Sequence, residues 1–387
     1  MTARLEFGTD GIRGRAGTFP IDGATAWVIG RVVGRDGRVL LAADPRLSSP
    51  WLVAAVAAGV RAAGGEAESV GVLPTPALSA LLAAGWGARG VMVTASHNPA
   101  ADNGLKVLSA DGHKLGDDAQ AALQAALNIE LARGRAPAEL PATERAPRAA
   151  EARAAYLAAL AARLPQGPWL AGQRIALDAG FGAGGPTAAA LLASFGAEVA
   201  PMGCEPDGAR INHGCGALHP EALAARVREV GAVAGIALDG DADRCILVTG
   251  GGRVLDGDAL LFLLAAPPAA VGTIMSGAGL EEGLKARGIE LIRTPVGDRF
   301  VDAAVHARGL AAGAESSGHV CIAGGLPTAD GTLTGLTVLA GGLDLDARLA
   351  GYTPWPRAQL EVPAGRRLPV DSPALAAASD AALAALG

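Results

Sequence analysis

Short runs of Val, Leu and Ile that end in Gly, Asp or Ser alternate along this chain with longer Ala- and Leu-rich stretches, and this alternation restricts the possible fold most. Buried strands read as near-continuous apolar runs, and a helix after each is the crossover that a parallel sheet needs. Strands are expected at Val39–Ala42, Gly90–Val93, Arg174–Leu177, Ile236–Leu238 and Thr273–Met275, and helices over Pro50–Ala63, Pro186–Phe195 and Glu281–Arg287. The longest apolar stretch, Ala259–Val271, is interrupted by Pro267 and Pro268 and is shorter than the ~20 residues that span a bilayer, so it reads as a core helix.

At 387 residues the chain exceeds the ~100 to 200 residues of one domain, and half of it is hydrophobic, enough for several cores. The segment 132–148 mixes Pro, Arg, Glu and Ala without periodicity, and further breaks fall at Gly250–Gly252 and Tyr352–Pro356. These divide the chain into 1–148, 149–250, 251–351 and 352–387, with successive α/β units of similar size suggesting related domains. A net charge of -6 with no Lys/Arg-rich run excludes a nucleic-acid or anionic-membrane partner. A small anionic substrate stays open, because a few local cations and backbone N–H groups suffice to hold one. Met1–Gly14 carries charges and glycines where an export signal would be apolar, and Cys204, Cys215, Cys245 and Cys321 form no C-x-x-C pair. Reduced thiols in a cytoplasmic protein are the natural reading.

The strand Gly90–Val93 runs into Thr94-Ala95-Ser96-His97-Asn98-Pro99, which puts a hydroxyl at the C-terminal end of a strand, where α/β folds bind ligands. The alternative is a turn in which Ser96 and Asn98 only hydrogen-bond the backbone. Ser96 and His97 are chain neighbours whose side chains are expected to diverge, so a serine–base dyad is not expected and Ser96 needs other activation. The strand Ile236–Leu238 ends in Asp239-Gly240-Asp241-Ala242-Asp243-Arg244, three carboxylates at alternate positions. Such a density of like charge suits a hard divalent cation. An EF-hand is excluded: with Asp239 as position one, the required Gly falls on Arg244 and the required Glu on Gly250. Gly180-Phe181-Gly182-Ala183-Gly184-Gly185 fits G-x-G-x-x-G, yet its strand already ends in Asp178 and no clean second strand ends in an acidic residue about twenty positions on.

With Phe7–Gly14, Thr94–Pro99, Asp239–Arg244, Val296–Arg299 and Glu315–His319 in order, the chain resembles the α-D-phosphohexomutase superfamily along essentially its whole length. Its N-terminal segment is most similar to that of phosphoglucosamine mutases. The resemblance implies three related α/β domains and a smaller fourth around a central cleft. It also implies a phosphoserine at Ser96, which serves with Asp239, Asp241 and Asp243 as a ligand of Mg2+. Arg13, His97, Lys106 and Arg244 become catalytic candidates, and Arg299, Glu315, Ser317 and His319 substrate-binding ones. The implied reaction interconverts glucosamine 6-phosphate and glucosamine 1-phosphate through a hexose 1,6-bisphosphate, which also acts as activator. Glucose or mannose phosphates, or non-catalytic binding of a sugar phosphate, are the alternatives. The chain departs from the family pattern at Ala314, Ser316 and Gly277. It contains no Arg-x-Ser-Gly-Thr-Glu-Pro segment, the fourth-domain loop that holds the non-transferred phosphate, so 352–387 is expected to be a truncated fourth domain with impaired turnover.

Overall fold

A computed structural model describes residues 5–355, apart from Thr9, Arg135 and Ala138, together with Pro373. The fourth domain expected over 352–387 therefore lies almost wholly outside the described residues. The rest forms three α/β units in succession.

The first unit comprises β1 (Ile12–Arg15), α1 (Gly23–Val33), β2 (Arg38–Ala43), α2 (Ser49–Ala62), β3 (Glu66–Val72), α3 (Thr75–Ala83), β4 (Arg89–Val93), β5 (Asp102–Ser109) and α4 (Asp117–Ala132). Its sheet has the order β1-β5-β4-β2-β3, with β2 parallel to β3 and β4, and β5 antiparallel to β4 and β1. Strand side chains alternate between faces. Val39 and Leu41 accordingly pack with Ile29, Val56 and Val60 of α1 and α2, whereas Leu40 and Ala42 pack with Leu78 and Leu81 of α3. Each fully buried Leu, Ile or Val contributes roughly 1.5 to 3 kcal/mol, so these two layers fix the sheet between helices.

The second unit comprises α5 (Ala149–Ala161), β6 (Arg174–Asp178), α6 (Gly185–Ser194), β7 (Glu198–Met202), α7 (Pro220–Val230), β8 (Ala234–Leu238), β9 (Cys245–Thr249) and β10 (Val254–Leu255). Its order, β10-β9-β8-β6-β7, repeats the plan of the first sheet. Gly250–Gly252 supplies the turn of the β9–β10 hairpin. The third unit comprises α8 (Gly257–Leu264), β11 (Ala269–Thr273), α9 (Ala278–Ala286), β12 (Glu290–Thr294), α10 (Asp298–Arg308), β13 (Ala312–Ala314), β14 (Val320–Ile322), α11 (Gly331–Ala340) and α12 (Leu345–Arg348). Here β11 pairs in parallel with β12 and β13, and β14 returns antiparallel to β13.

One four-stranded core, two parallel neighbours about a central strand and an antiparallel return, is thus used three times, and in each unit the connection into the antiparallel strand carries a sequence motif. The β4–β5 connection holds Ser96, β8–β9 holds Asp239–Arg244, and β13–β14 holds Glu315–His319. The third unit corrects two expectations. Ala259–Val271 is not one helix: α8 ends at Leu264 and β11 begins at Ala269, because Pro267 and Pro268 cannot supply helical N–H groups. The strand expected at Thr273–Met275 ends at Thr273, where the Ser276 hydroxyl takes the Thr273 N–H at 3.0 Å and turns the chain. No helix among the described residues is long and apolar enough to cross a membrane.

Candidate active site

The Ser96 and aspartate connections meet, and glycines make the approach possible. A Cβ on Gly240 would lie 2.6 Å from the Ser96 carbonyl oxygen, and one on Gly182 would lie 2.4 Å from the Gly240 oxygen. The G-x-G segment therefore serves as close packing beneath the aspartate loop, where Ala183 N–H donates to the Gly240 carbonyl at 2.9 Å. Ser96 and Ala242 both adopt left-handed backbone, with φ of 51° and 55°. Such conformations cost free energy in non-glycine residues and persist where surrounding contacts over-determine them.

Ser96 is fully buried and its hydroxyl donates to Asp239 Oδ2 at 2.6 Å. One carboxylate oxygen from each of Asp239, Asp241 and Asp243 lies within 4.8 Å of the other two, and all three residues are buried. Burial, with Asp243 and Asp241 nearby, pushes Asp239 up to about 7. One Asp241 oxygen, Oδ1, has no hydrogen-bond partner. A buried carboxylate oxygen without a donor, inside a set of hard oxygen ligands that repel one another, fits a divalent cation. Asp239, Asp241 and Asp243 could hold one.

Lys106, 2% exposed, lies 2.8 Å from Asp241 and 2.9 Å from both Asp243 and Asp10. Burial alone would lower its pKa, but the three carboxylates outweigh that and hold it well above the ordinary lysine range. Asp10 is also paired with Arg13 and Lys114, and Lys114 continues to Asp298 at the start of α10. These cations overcome burial and keep Asp10 below the usual carboxylate range. Thr75 Oγ1 donates to Asp241 at 2.5 Å. Arg244 Nε lies 3.9 Å from Asp239, and the Arg244 backbone N–H donates to Asp239 Oδ1 at 3.2 Å.

The Ser96 and His97 side chains do not diverge as expected: His97 Nδ1 is 3.3 Å from Ser96 Oγ, because the left-handed backbone at Ser96 turns the two together. Burial, then Arg244 and Arg13, lowers His97 to about 4.

The third connection joins the second by backbone pairing of Arg244 with His319 and by Cys245 N–H donating to Gly318 O at 2.9 Å. His319 Nε2 lies 2.9 Å from Asp243 and its Nδ1 lies 3.1 Å from Glu315. Against burial, Asp243 foremost among its partners lifts His319 to about 10. Glu315 accepts the Gly297 N–H at 2.8 Å, and Ser317 Oγ lies 3.4 Å from His319. Arg299 is placed differently, its guanidinium paired with Asp117 of α4 at 2.7 Å. It lines a cavity of about 440 Å3 with His113, Asp302, His306 and Thr328, a lining that includes neither Ser96 nor the three aspartates.

Sequence reading did not single out Asp10, Thr75, Lys114, Arg46 or Asn212, all of which face or brace this cluster. The signal for Asp10 was its place within the N-terminal signature. Lys114 and Thr75 are ordinary in local sequence and meet the cluster only across the fold.

Models of the phosphoglucomutase/phosphomannomutase α/β/α domains I, II and III match residues 4–133, 154–252 and 256–343. A phosphoglucosamine mutase of Cereibacter sphaeroides is 42% identical over 357 residues, covering 88% of this chain and 79% of its own length. One of Maricaulis maris is 39% identical, covering 96% of this chain and 87% of its own. Among solved structures, a phosphoglucomutase/phosphomannomutase family protein of Burkholderia thailandensis superimposes with a TM-score of 0.71 at 28% identity, covering 89% of this chain and 79% of that one.

Proposed function

This chain belongs to the phosphoglucomutase/phosphomannomutase family, and from that premise we propose that it interconverts glucosamine 6-phosphate and glucosamine 1-phosphate in the cytoplasm. The substrate reading is supported by the phosphoglucosamine mutases that match it at 39% and 42% identity. The observation that carries the chemistry is the buried Ser96 hydroxyl, 2.6 Å from the first of three clustered aspartates.

Ser96 Oγ carries the phosphoryl group. Transfer breaks the bond between Oγ and phosphorus and forms a new one to a hydroxyl oxygen of the bound sugar phosphate, whose proton ends on Ser96 Oγ, giving a hexose 1,6-bisphosphate and a free serine. After the bisphosphate reorients, the reverse transfer from its other end restores phosphoserine. The family's phosphoryl chemistry depends on alignment and neutralisation of charge more than on covalent assistance. Magnesium, bound by Asp239, Asp241, Asp243 and the Ser96 phosphate, would neutralise charge on the transferring group, since all of these are hard oxygen ligands. Arg13, Lys106 and Arg244 add positive charge around the aspartates that face Ser96. Glu315, Ser317 and His319 offer acceptors and donors to sugar hydroxyls. Added hexose 1,6-bisphosphate acts as activator by rephosphorylating any Ser96 that has lost its group.

Peptide mapping after incubation with radiolabelled hexose 1,6-bisphosphate tests the proposal. Label is expected on Ser96 and nowhere in Ser96→Ala. Label retained in Ser96→Ala would refute it, and coupled assays on glucosamine, glucose and mannose 6-phosphates decide the sugar.

A further inference from the structure

We infer that Arg46 and Asn212 are positioning residues that brace the Ser96 loop, one from the first α/β unit and one from the second, an inference resting on the reading of Ser96 as phosphoryl carrier. Arg46 is fully buried, and each of its five N–H groups meets an acceptor. Nε donates to Asp44 at 2.9 Å, Nη1 to the carbonyls of Pro99 and Asp102, and Nη2 to those of Ser96 at 2.9 Å and Asn98 at 2.8 Å. Four of the five acceptors are backbone oxygens, three in the loop that holds the nucleophile and the fourth at Asp102, where that loop enters β5. Asp44 extends the brace: it accepts the Thr94 hydroxyl at 2.6 Å, and Thr94 Oγ1 accepts the Ser96 N–H at 2.9 Å.

Asn212 reaches the same two carbonyls from the second unit. Its Nδ2 donates to Ser96 O at 2.9 Å and to Asn98 O at 3.3 Å. Asn212 is itself left-handed, with φ of 59°, and its N–H is held by Gly180 O at 2.9 Å. The Ser96 carbonyl is therefore gripped from both units at once, and the left-handed Ser96 backbone that aims Oγ at Asp239 is held in place. Neither residue touches the hydroxyl. Their effect falls on alignment, where a displacement of about 1 Å can cost a hundredfold in rate. A planar guanidinium is needed for the fork of contacts, which a lysine ammonium cannot reproduce.

The test uses the full chain and the variants Asn212→Ala, Asn212→Asp and Arg46→Lys. Asn212→Asp is isosteric but turns an acceptor toward the two carbonyls. The first readout is the rate of Ser96 labelling by radiolabelled hexose 1,6-bisphosphate, expected to fall about tenfold to a hundredfold in each variant, with the half-saturating concentration changed less than about twofold. The second is amide hydrogen exchange over residues 94–102 without ligand, expected to quicken in each variant. Should Arg46→Lys fail to fold, the two Asn212 variants carry the test. Wild-type labelling and wild-type loop exchange in both Asn212 variants would overturn the inference. If the wild-type chain itself takes no label, the phosphoserine reading falls instead, and the exchange measurement still decides whether the loop is braced.

Discussion

Replacing Lys106 by Met keeps most of the side-chain volume and removes one charge from the centre of the site. The ammonium serves Asp10, Asp241 and Asp243 at 2.8 to 2.9 Å with its side chain 3% exposed. That exposure places it among buried pairs, whose disruption costs about 3 to 5 kcal/mol, rather than surface pairs worth about 1 kcal/mol or less. The abandoned carboxylates are not left bare. Asp10 keeps Lys114 and Arg13, Asp241 keeps Thr75, and Asp243 keeps His319. The loss should therefore lie near the lower bound, about 3 kcal/mol, which for a chain of 387 residues lowers the melting midpoint by about 4 °C. Lys106 is held above the ordinary lysine range, so this contribution is present at neutral pH and is lost only as pH rises through its folded-state pKa. On the proposed assignment a magnesium ion would share Asp241 and Asp243 with Lys106, so saturating magnesium should recover more stability in Lys106→Met than it adds to wild type, up to about 2.7 kcal/mol at a hundredfold excess over Kd. Calorimetric scans with and without magnesium measure both effects. A midpoint lowered by less than about 2 °C, or equal stabilisation of both proteins by magnesium, would refute the reasoning.

Asp241→Asn removes the carboxylate with the unpartnered oxygen, and magnesium titration followed by calorimetry should show weakened binding together with loss of phosphoryl transfer. Chelation of divalent metal should likewise stop labelling of Ser96, and readdition of magnesium should restore it. Asp330 caps α11 and accepts the Tyr156 hydroxyl at 2.8 Å, and burial raises it to about 6. Its raised pKa makes the folded form bind the extra proton, so wild type should lose stability relative to Asp330→Asn as pH rises from about 4 to 6, by about 2 to 3 kcal/mol in paired urea titrations. Glu315→Gln loses charge beside His319 and should raise the KM for sugar phosphate more than it lowers kcat in steady-state assays.

The strands that lead into Ser96 and Asp239 were readable because buried parallel strands leave continuous apolar runs, and the polar residues after them stand out. The antiparallel return strands left a fainter trace. Ala312–Ala314 and Val320–Ile322 are short, and only the polar residues between them drew attention. Asp10, Lys106 and Lys114 form their alternating chain of charge between segments about a hundred residues apart, and no local pattern encodes such a chain. Arg46 is the sharpest case. An arginine in a loop reads as exposed on composition, yet the carbonyls of another loop swallow it whole. The proximity of His97 to Ser96 depended on a backbone conformation that a serine seldom adopts.

The turn that leads into each antiparallel strand occupies the same slot in all three units, yet what fills the slot differs: a hydroxyl, a trio of carboxylates, and a Glu–His pair. No single copy holds a complete centre. If tandem duplication produced this chain, the solitary ancestor had the scaffold and at most one fragment of the chemistry, and catalysis arose from the divergence of copies already packed together. Equivalent mutations in the three turns should then produce three different defects, in carrying phosphate, in gathering cation and in gripping sugar, although the backbone they damage is the same.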